Sequence, residues 1–298
     1  MELTKSNITH RNGGFHGIVS FIKKIQENFH GMSPKHKKMA GYLSDNYDKV
    51  VFQTAKALAE DVGVSEATVI RFATHIGYKG YPDMVKAMSE MVRSRITTVD
   101  RLQLSLKSAQ GHPVKDVMSR DTLNIRRTME ELDMASFNEA VTRIANARKI
   151  FVVSFRSAAS LGSFLQYYLQ ILLRNCTLVS STVSIVDDLA DVTAQDVVIG
   201  ISFARYTKLT VEGMQFARGR GAHTVAITDT HTSPLVRYGD TVLLAHRDMA
   251  YFIDSLAAPL SLINALIVAV STENPESTKQ RLAELEALWQ QYQVYDIE

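Results

Sequence analysis

The run Thr54 to Tyr81, TAKALAEDVGVSEATVIRFATHIGYKGY, limits what this chain can fold into more than any other stretch. At helical spacing Ala55, Leu58, Ala59 and Val62 form one apolar stripe. Gly63 breaks the pattern, as a residue free to take a left-handed conformation does. Ser65 follows as a helix N-cap whose hydroxyl can accept a backbone N–H from the next turn. Val69, Phe72, Ala73 and Ile76 make the apolar face of a second helix, which Gly77 ends. Small Ala59 permits close approach of the two helices, Gly63 makes the corner, and Val69 fills the angle. That pattern predicts a helix-turn-helix whose second helix can lie in the major groove of DNA.

An ordinary pair of packed helices is the alternative, and the polar residues weigh against it. Glu66, Thr68 and Arg71 fall on the expected outward face, suited to base edges; Arg pairs bidentately with guanine. Thr54, Ser65, Lys35, Lys37 and Lys79 are expected to hold phosphates, with His36, Lys38 and Lys86 nearby. Net charge over 298 residues is only +2, so the basic character is concentrated at one end, residues 1–95. Partnering with nucleic acid is therefore expected of that end alone.

A 46% hydrophobic and 21% charged composition fits a globular chain of about two domains. The single Cys176 excludes an intrachain disulfide and a cysteine metal cluster, and suits a reducing cytoplasm. The start, MELTKSNITHRNGGFHG, has no apolar run and does not read as a signal peptide. The longest apolar stretch, Ala257 to Val270, is interrupted by Pro259, Ser261 and Asn264 and reads as a buried helix.

In chain order, residues 1–14 are expected to be disordered, and a first helix runs from about Phe15 to Asn28. Ser33-Pro34 starts another helix, to about Asn46, and Pro82 opens one that continues to Arg95. The all-helical domain spans 15–95 and a connector 96–120, with a turn at Gly111-His112-Pro113. Helices from Arg120 and from Ser136 lead into an alternating βα domain over 121–275, with a last helix within 276–298. Its five expected strands are 149–155, 177–179, 196–202, 224–228 and 240–245, which implies a parallel sheet between helical layers.

Ligands of such sheets bind at the carboxyl ends of strands, against helix N-termini. Two turns qualify: Ser154-Phe155-Arg156-Ser157-Ala158 and Ser202-Phe203-Ala204-Arg205-Tyr206-Thr207. Their hydroxyls, backbone N–H groups and guanidinium groups can together hold a phosphate or carboxylate. The candidate effector residues are Ser154, Arg156, Ser157, Ser202, Arg205 and Thr207; taken singly, Ser157 and Thr207 can equally be helix caps. Ser233 reads as a cap, Asp187 and Asp188 as helix N-terminal charge, and His223 and His246 as structural. The nine histidines show no metal-ligand spacing, and no cofactor is expected.

The N-terminal motif with its RFATHIGYKGY tail, followed by VVSFRSAAS, GISFARYTKLT and AITDTHTSPL, resembles the RpiR family of bacterial transcriptional regulators over about residues 15–275. The resemblance implies a helix-turn-helix domain joined to a three-layer α/β/α sugar isomerase (SIS) domain with a five-stranded parallel sheet. It also implies a homodimer or homotetramer, a roughly palindromic DNA operator, and a small-molecule effector. Helices Leu161–Leu173 and Ser255–Val270 are the expected dimer contact. Where the family's turns carry glycines and further serines, this chain has Arg156 and Ala158, then Ala204 and Arg205. The added charge favours an anion, phosphosugar or carboxylate. The alternatives are a sugar-phosphate isomerase, for which Asp254 and His231 are the candidate bases, and a protein-interaction adaptor.

Overall fold

A computed structural model describes residues 21, 24–51, 53–92, 98–99, 101–102, 112–181, 184–249 and 252–296. The expected polar start, much of the first expected helix and the Gly111 end of the turn lie outside the described residues. The chain divides into two compact units at Lys107/Ser108, inside the expected connector.

The first unit is helical: α1 (Pro34–Val50), α2 (Ala55–Val62), α3 (Glu66–His75) and α4 (Tyr81–Val92). Helix α1 runs on past its expected end at Asn46, which instead marks a kink with φ −129°. The continuation is explained by burial, since Val50 and Val51 beyond the kink are both in the core. Met39, Leu43, Leu58, Val62, Val69, Phe72, Ile76, Met84 and Met88 form one apolar cluster. The corner between α2 and α3 is closed by Gly63 at φ +71° and by the Val64 N–H donating to Ala59 O at 2.9 Å. This 6→1 bond satisfies a helix-end carbonyl that would otherwise be orphaned.

The second unit is a five-stranded, all-parallel sheet between helical layers. Its strands are β1 (Ile150–Ser154), β2 (Cys176–Val179), β3 (Val197–Ile201), β4 (His223–Thr228) and β5 (Thr241–Leu244). They lie in the order β2-β1-β3-β4-β5, with Ser154 opposite Ile201 and Ile201 opposite Ile227. Alternate residues point to opposite faces of a strand. Ile150, Val152, Ile199 and Val225 accordingly pack under α6 (Met134–Ala145), α7 (Ala159–Leu173) and α10 (Ala257–Glu273). Phe151, Val153, Val198 and Ala226 face α8 (Ile185–Asp188) and α9 (Lys208–Gly219). Helix α5 (Pro113–Glu131) precedes α6, and α11 (Pro275–Gln291) ends the unit. Residues 113–120 of the expected connector are thus helix, beginning with proline at the first turn.

Buried Asp196 pins the amino ends of β1 and β3. It accepts from the Lys149 N–H at 3.1 Å, the Thr193 N–H at 2.8 Å and Arg148 Nη2 at 2.6 Å. Burial pushes its pKa up, but the bonds from Arg148 and Thr193 outweigh that and hold it below the ordinary carboxylate value. Cys176 is buried and its thiol is pushed up to about 12 by desolvation, so it is inert.

Beyond β5, residues 246–249 form a strap bonded to α5. Asn124 Nδ2 donates to Asp248 O at 2.9 Å and Asn124 Oδ1 accepts from the Asp248 N–H at 3.0 Å. Arg127 pairs with the Asp248 carboxylate at 2.9 Å, and Thr128 Oγ1 accepts from the His246 N–H at 2.8 Å. Helix α10 buries Ala258, Leu262, Ile263, Leu266, Ile267 and Val270 inside its own unit. Most of the apolar surface assigned to a dimer contact on this helix is therefore core. No single helix among the described residues is long and apolar enough to cross a bilayer.

Candidate DNA-reading helix and ligand cleft

Helix α3 starts where the sequence places it. Ser65 Oγ accepts from the Thr68 N–H at 3.3 Å, capping one of the orphan donors of the first turn. Its hydroxyl also meets Thr68 Oγ1 at 2.8 Å, and Thr68 is only 5% exposed. Thr68 therefore belongs to the inner face, and its expected role at base edges is corrected. The β-branched side chain packs inward, and its hydroxyl is satisfied by the cap. Exposed instead are Glu66, Ala67, Ile70, Arg71, Thr74 and His75. Arg71 Nε donates to Ala67 O at 3.2 Å along the helix, which fixes the stem and leaves the two terminal nitrogens for a bidentate partner.

Thr54 caps α2, accepting from the Ala57 N–H at 3.1 Å. Lys35, Lys37, Lys38 and Lys79 are all exposed. Lys38 Nζ lies beside the corner, since a Cβ on Gly63 would sit 3.2 Å from it. His36 stands 5.3 Å from the His75 ring, centroid to centroid. Burial, then the nearby His75 and Arg71, lower its pKa below the ordinary histidine value.

The second candidate site lies at the carboxyl ends of β1 and β3. The strand order reverses between these two strands, and that switch point is where parallel sheets open a crevice. Arg156 and Arg205 are both exposed and both hold positive φ, 57° and 65°. A non-glycine residue there is strained by about 1–2 kcal/mol. Ser157 is exposed beside Arg156, and Thr207 is half-buried at the start of α9. Neither α7 nor α9 has a side-chain cap bond at its N-cap, so the Thr207 hydroxyl is not used as its helix's cap.

Two of the expected ligand hydroxyls face inward. Ser154 is 3% exposed, and its Oγ lies under α7 where a Cβ on Gly162 would collide with it. Ser202 is equally buried, and its Oγ accepts from the Thr207 N–H at 3.0 Å, holding the turn rather than a ligand. Ser154, the last residue of β1, keeps the alternation of the strand and so points beneath α7, whereas Ser202, one residue past β3, is held inward by its bond from the Thr207 N–H.

The sequence reading missed Asp229 and Arg247. Asp229 Oδ2 accepts from the Ala204 N–H at 3.2 Å, and Oδ1 accepts from the Tyr206 hydroxyl at 2.9 Å, so one carboxylate grips both sides of Arg205. Burial, then Asp229, push the Tyr206 pKa far up, so the phenol stays a donor. Arg247, 6% exposed, lies 3.8 Å from Asp229, pairs with Asp254 and stacks 5.3 Å over Phe203. A carboxylate directly after the TVAIT strand was the available signal for Asp229. Asp254, a candidate base, is thus engaged by a buried guanidinium, and His231 is exposed in a turn. His223 bonds Thr241 at 2.8 Å and His246 bonds Glu131 at 2.9 Å, both structural contacts.

A hollow of about 890 Å³ opens at the opposite edge, among Arg143, Arg148, Asp196 and His223. Those groups already engage Glu139, Asp196, Arg148 and Thr241. It is therefore the weaker candidate. Among the described residues no cluster could hold a metal ion.

Residues 19–94 match the profile of the helix-turn-helix domain of the rpiR family, and residues 143–269 match the SIS domain. An HTH-type transcriptional regulator of Haemophilus influenzae is 26% identical over 274 residues, covering 87% of this chain and 94% of that protein. The regulator HexR of Escherichia coli is 25% identical, over 74% of this chain and 75% of its own. Among solved structures, the sugar isomerase domain of an RpiR transcription factor from Sphaerobacter thermophilus is 28% identical, with a TM-score of 0.57. It covers 60% of this chain and 99% of that one. The Vibrio vulnificus NanR protein complexed with ManNAc-6P is alike in fold, at 23% identity and a TM-score of 0.56, over 90% of this chain and 97% of its own.

Proposed function

Since the chain belongs to the RpiR family of DNA-binding transcriptional regulators, with a SIS domain behind its helix-turn-helix, we propose that α3 reads an operator under the control of a small anionic metabolite. The observation that carries the reading is Arg71, exposed on the outward face of α3 with its two terminal nitrogens clear of the helix. Glu66 and Arg71 then meet base edges, while Lys35, Lys37 and Lys79 and the capped ends at Thr54 and Ser65 meet phosphates. One helix touches too few bases for specificity, so the regulator acts as a dimer or tetramer on half-sites about 34 Å apart. Exposed Tyr167 and Tyr168 on α7 suit the self-association face. Such a regulator works in the bacterial cytoplasm, on the nucleoid.

The effector site of this proposal is the β1/β3 crevice, with Arg156, Ser157, Arg205 and Thr207 as its contacts. ManNAc-6P bound to NanR makes a phosphosugar the first ligand to try, and the two arginines suit a carboxylate as well. Catalysis is not part of the reading, because Asp254 is engaged by Arg247. The test is Arg71→Ala in gel-shift with genomic fragments. Operator affinity should fall by about 1–3 kcal/mol with the melting temperature unchanged. Wild-type affinity would remove α3 as the reading helix. For the crevice, a thermal-shift screen of anionic metabolites should find one that raises the melting point of wild type and not of Arg205→Ala.

A further inference from the structure

The ten residues of α3, EATVIRFATH, include no Asn and no Gln, the side chains that pair bidentately with adenine. Several of its other polar groups are already committed. The Ser65 and Thr68 hydroxyls bond each other, and the Thr74 hydroxyl donates to Arg71 O at 2.9 Å. The His75 ring sits against His36. Of the side chains that pair bidentately with a base or accept from one as a carboxylate, α3 offers Glu66 and Arg71, which suit cytosine and guanine.

On the same face stands Ile70, a branched aliphatic side chain left 45% exposed. At about 100° of turn per residue, the buried arc of Thr68, Val69, Phe72, Ala73 and Ile76 lies opposite a midline through Ala67 and Thr74. Ile70 and Arg71 then flank that midline at about 50° on either side. The midline thus carries the Ala67 methyl and Thr74, whose hydroxyl is turned to the helix backbone, with aliphatic Ile70 on one flank and the Arg71 guanidinium on the other. The feature of the major groove that fits such a surface is the C5 methyl group of thymine.

We propose that Ile70, with Ala67 beside it, reads a thymine methyl in each operator half-site and so specifies an A·T pair next to the guanine contacted by Arg71. The inference rests on α3 being the reading helix, and its test separates the two. Duplexes retained by the full-length protein from a random-sequence pool are remade with uracil in place of each thymine in turn, which removes one methyl group and nothing else.

Wild-type protein should bind about fourfold more weakly at one thymine per half-site, the ratio that one buried methyl is worth. Ile70→Ala should bind the thymine and uracil forms alike while still requiring the neighbouring guanine. Because Ile70 lies outside the core, its variant should melt with the wild type. Uracil that is silent at every position, or an Ile70→Ala protein as sensitive to it as wild type, would overturn the methyl contact while leaving α3 as reader. A pool that yields no retained duplex would overturn both.

Discussion

Gly63, at the corner between α2 and α3, and Arg205, at the corner between β3 and α9, hold nearly the same backbone angle, φ 71° and 65°. One position has no side chain, the other has the longest cationic one. The first corner has only to turn, and it uses the residue that does so without steric cost. The second lies at the mouth of the crevice and keeps a guanidinium there against about 1–2 kcal/mol of local strain. What sustains that strain is visible: Asp229 bonds the residues on both sides, Ala204 and Tyr206, and is backed by Arg247. The contrast teaches that a left-handed non-glycine residue, unlike a left-handed glycine, points to a use for its side chain.

The largest effect that would test this contrast is at Asp229. Asp229→Ala should lower the stability of the second unit by about 3 kcal/mol in calorimetry, since it breaks the bonds from Ala204 and Tyr206 and strips a charge from buried Arg247. In an Arg205→Gly background the loss should be smaller, because glycine takes the same angle unaided; equal losses would break the argument. Next in size, Arg205→Gly alone should weaken binding of the proposed anionic effector about tenfold or more, the worth of a hydrogen bond to a charged group, while the melting temperature holds or rises. A steep fall in melting temperature would show that the arginine is there for packing. Smallest, Gly63→Ala should cost the first unit about 1 kcal/mol in urea unfolding. Its Cβ would meet only the mobile end of Lys38, so an effect much larger than that would mean the corner does more than turn.

Much of this was legible in residue spacing. Apolar periodicity set the ends of α2 and α3 and of all five strands to within a residue or two, because burial on one face is what spacing encodes. Depth was less legible. Ser154 reads as a ligand hydroxyl at a strand end until Gly162, eight positions on, brings α7 down onto it. Thr68 reads as outward until its hydroxyl is found against Ser65. The Asp229–Arg247 contact depends on β4 and β5 being neighbours, which is a property of strand order and not of either sequence segment. Helix α5 was shortened in the reading because nothing local sets its start apart from a loop except Pro113; its bonds to residues 246 and 248 are more than a hundred positions away.

Those bonds give α5 the mechanics of a lever. It is fastened along its carboxyl half, at Asn124, Arg127 and Thr128, to the same short strap that carries Arg247 to Asp229. Ser255 bonds Asp121 as well, so the amino end extends about 12 Å from the first fastening, and a tilt of about 5° there carries Pro113 sideways by about 1 Å. The helix that follows the connector in the chain is thus tied, through one short strap, to the carboxylate that holds the residues on both sides of Arg205.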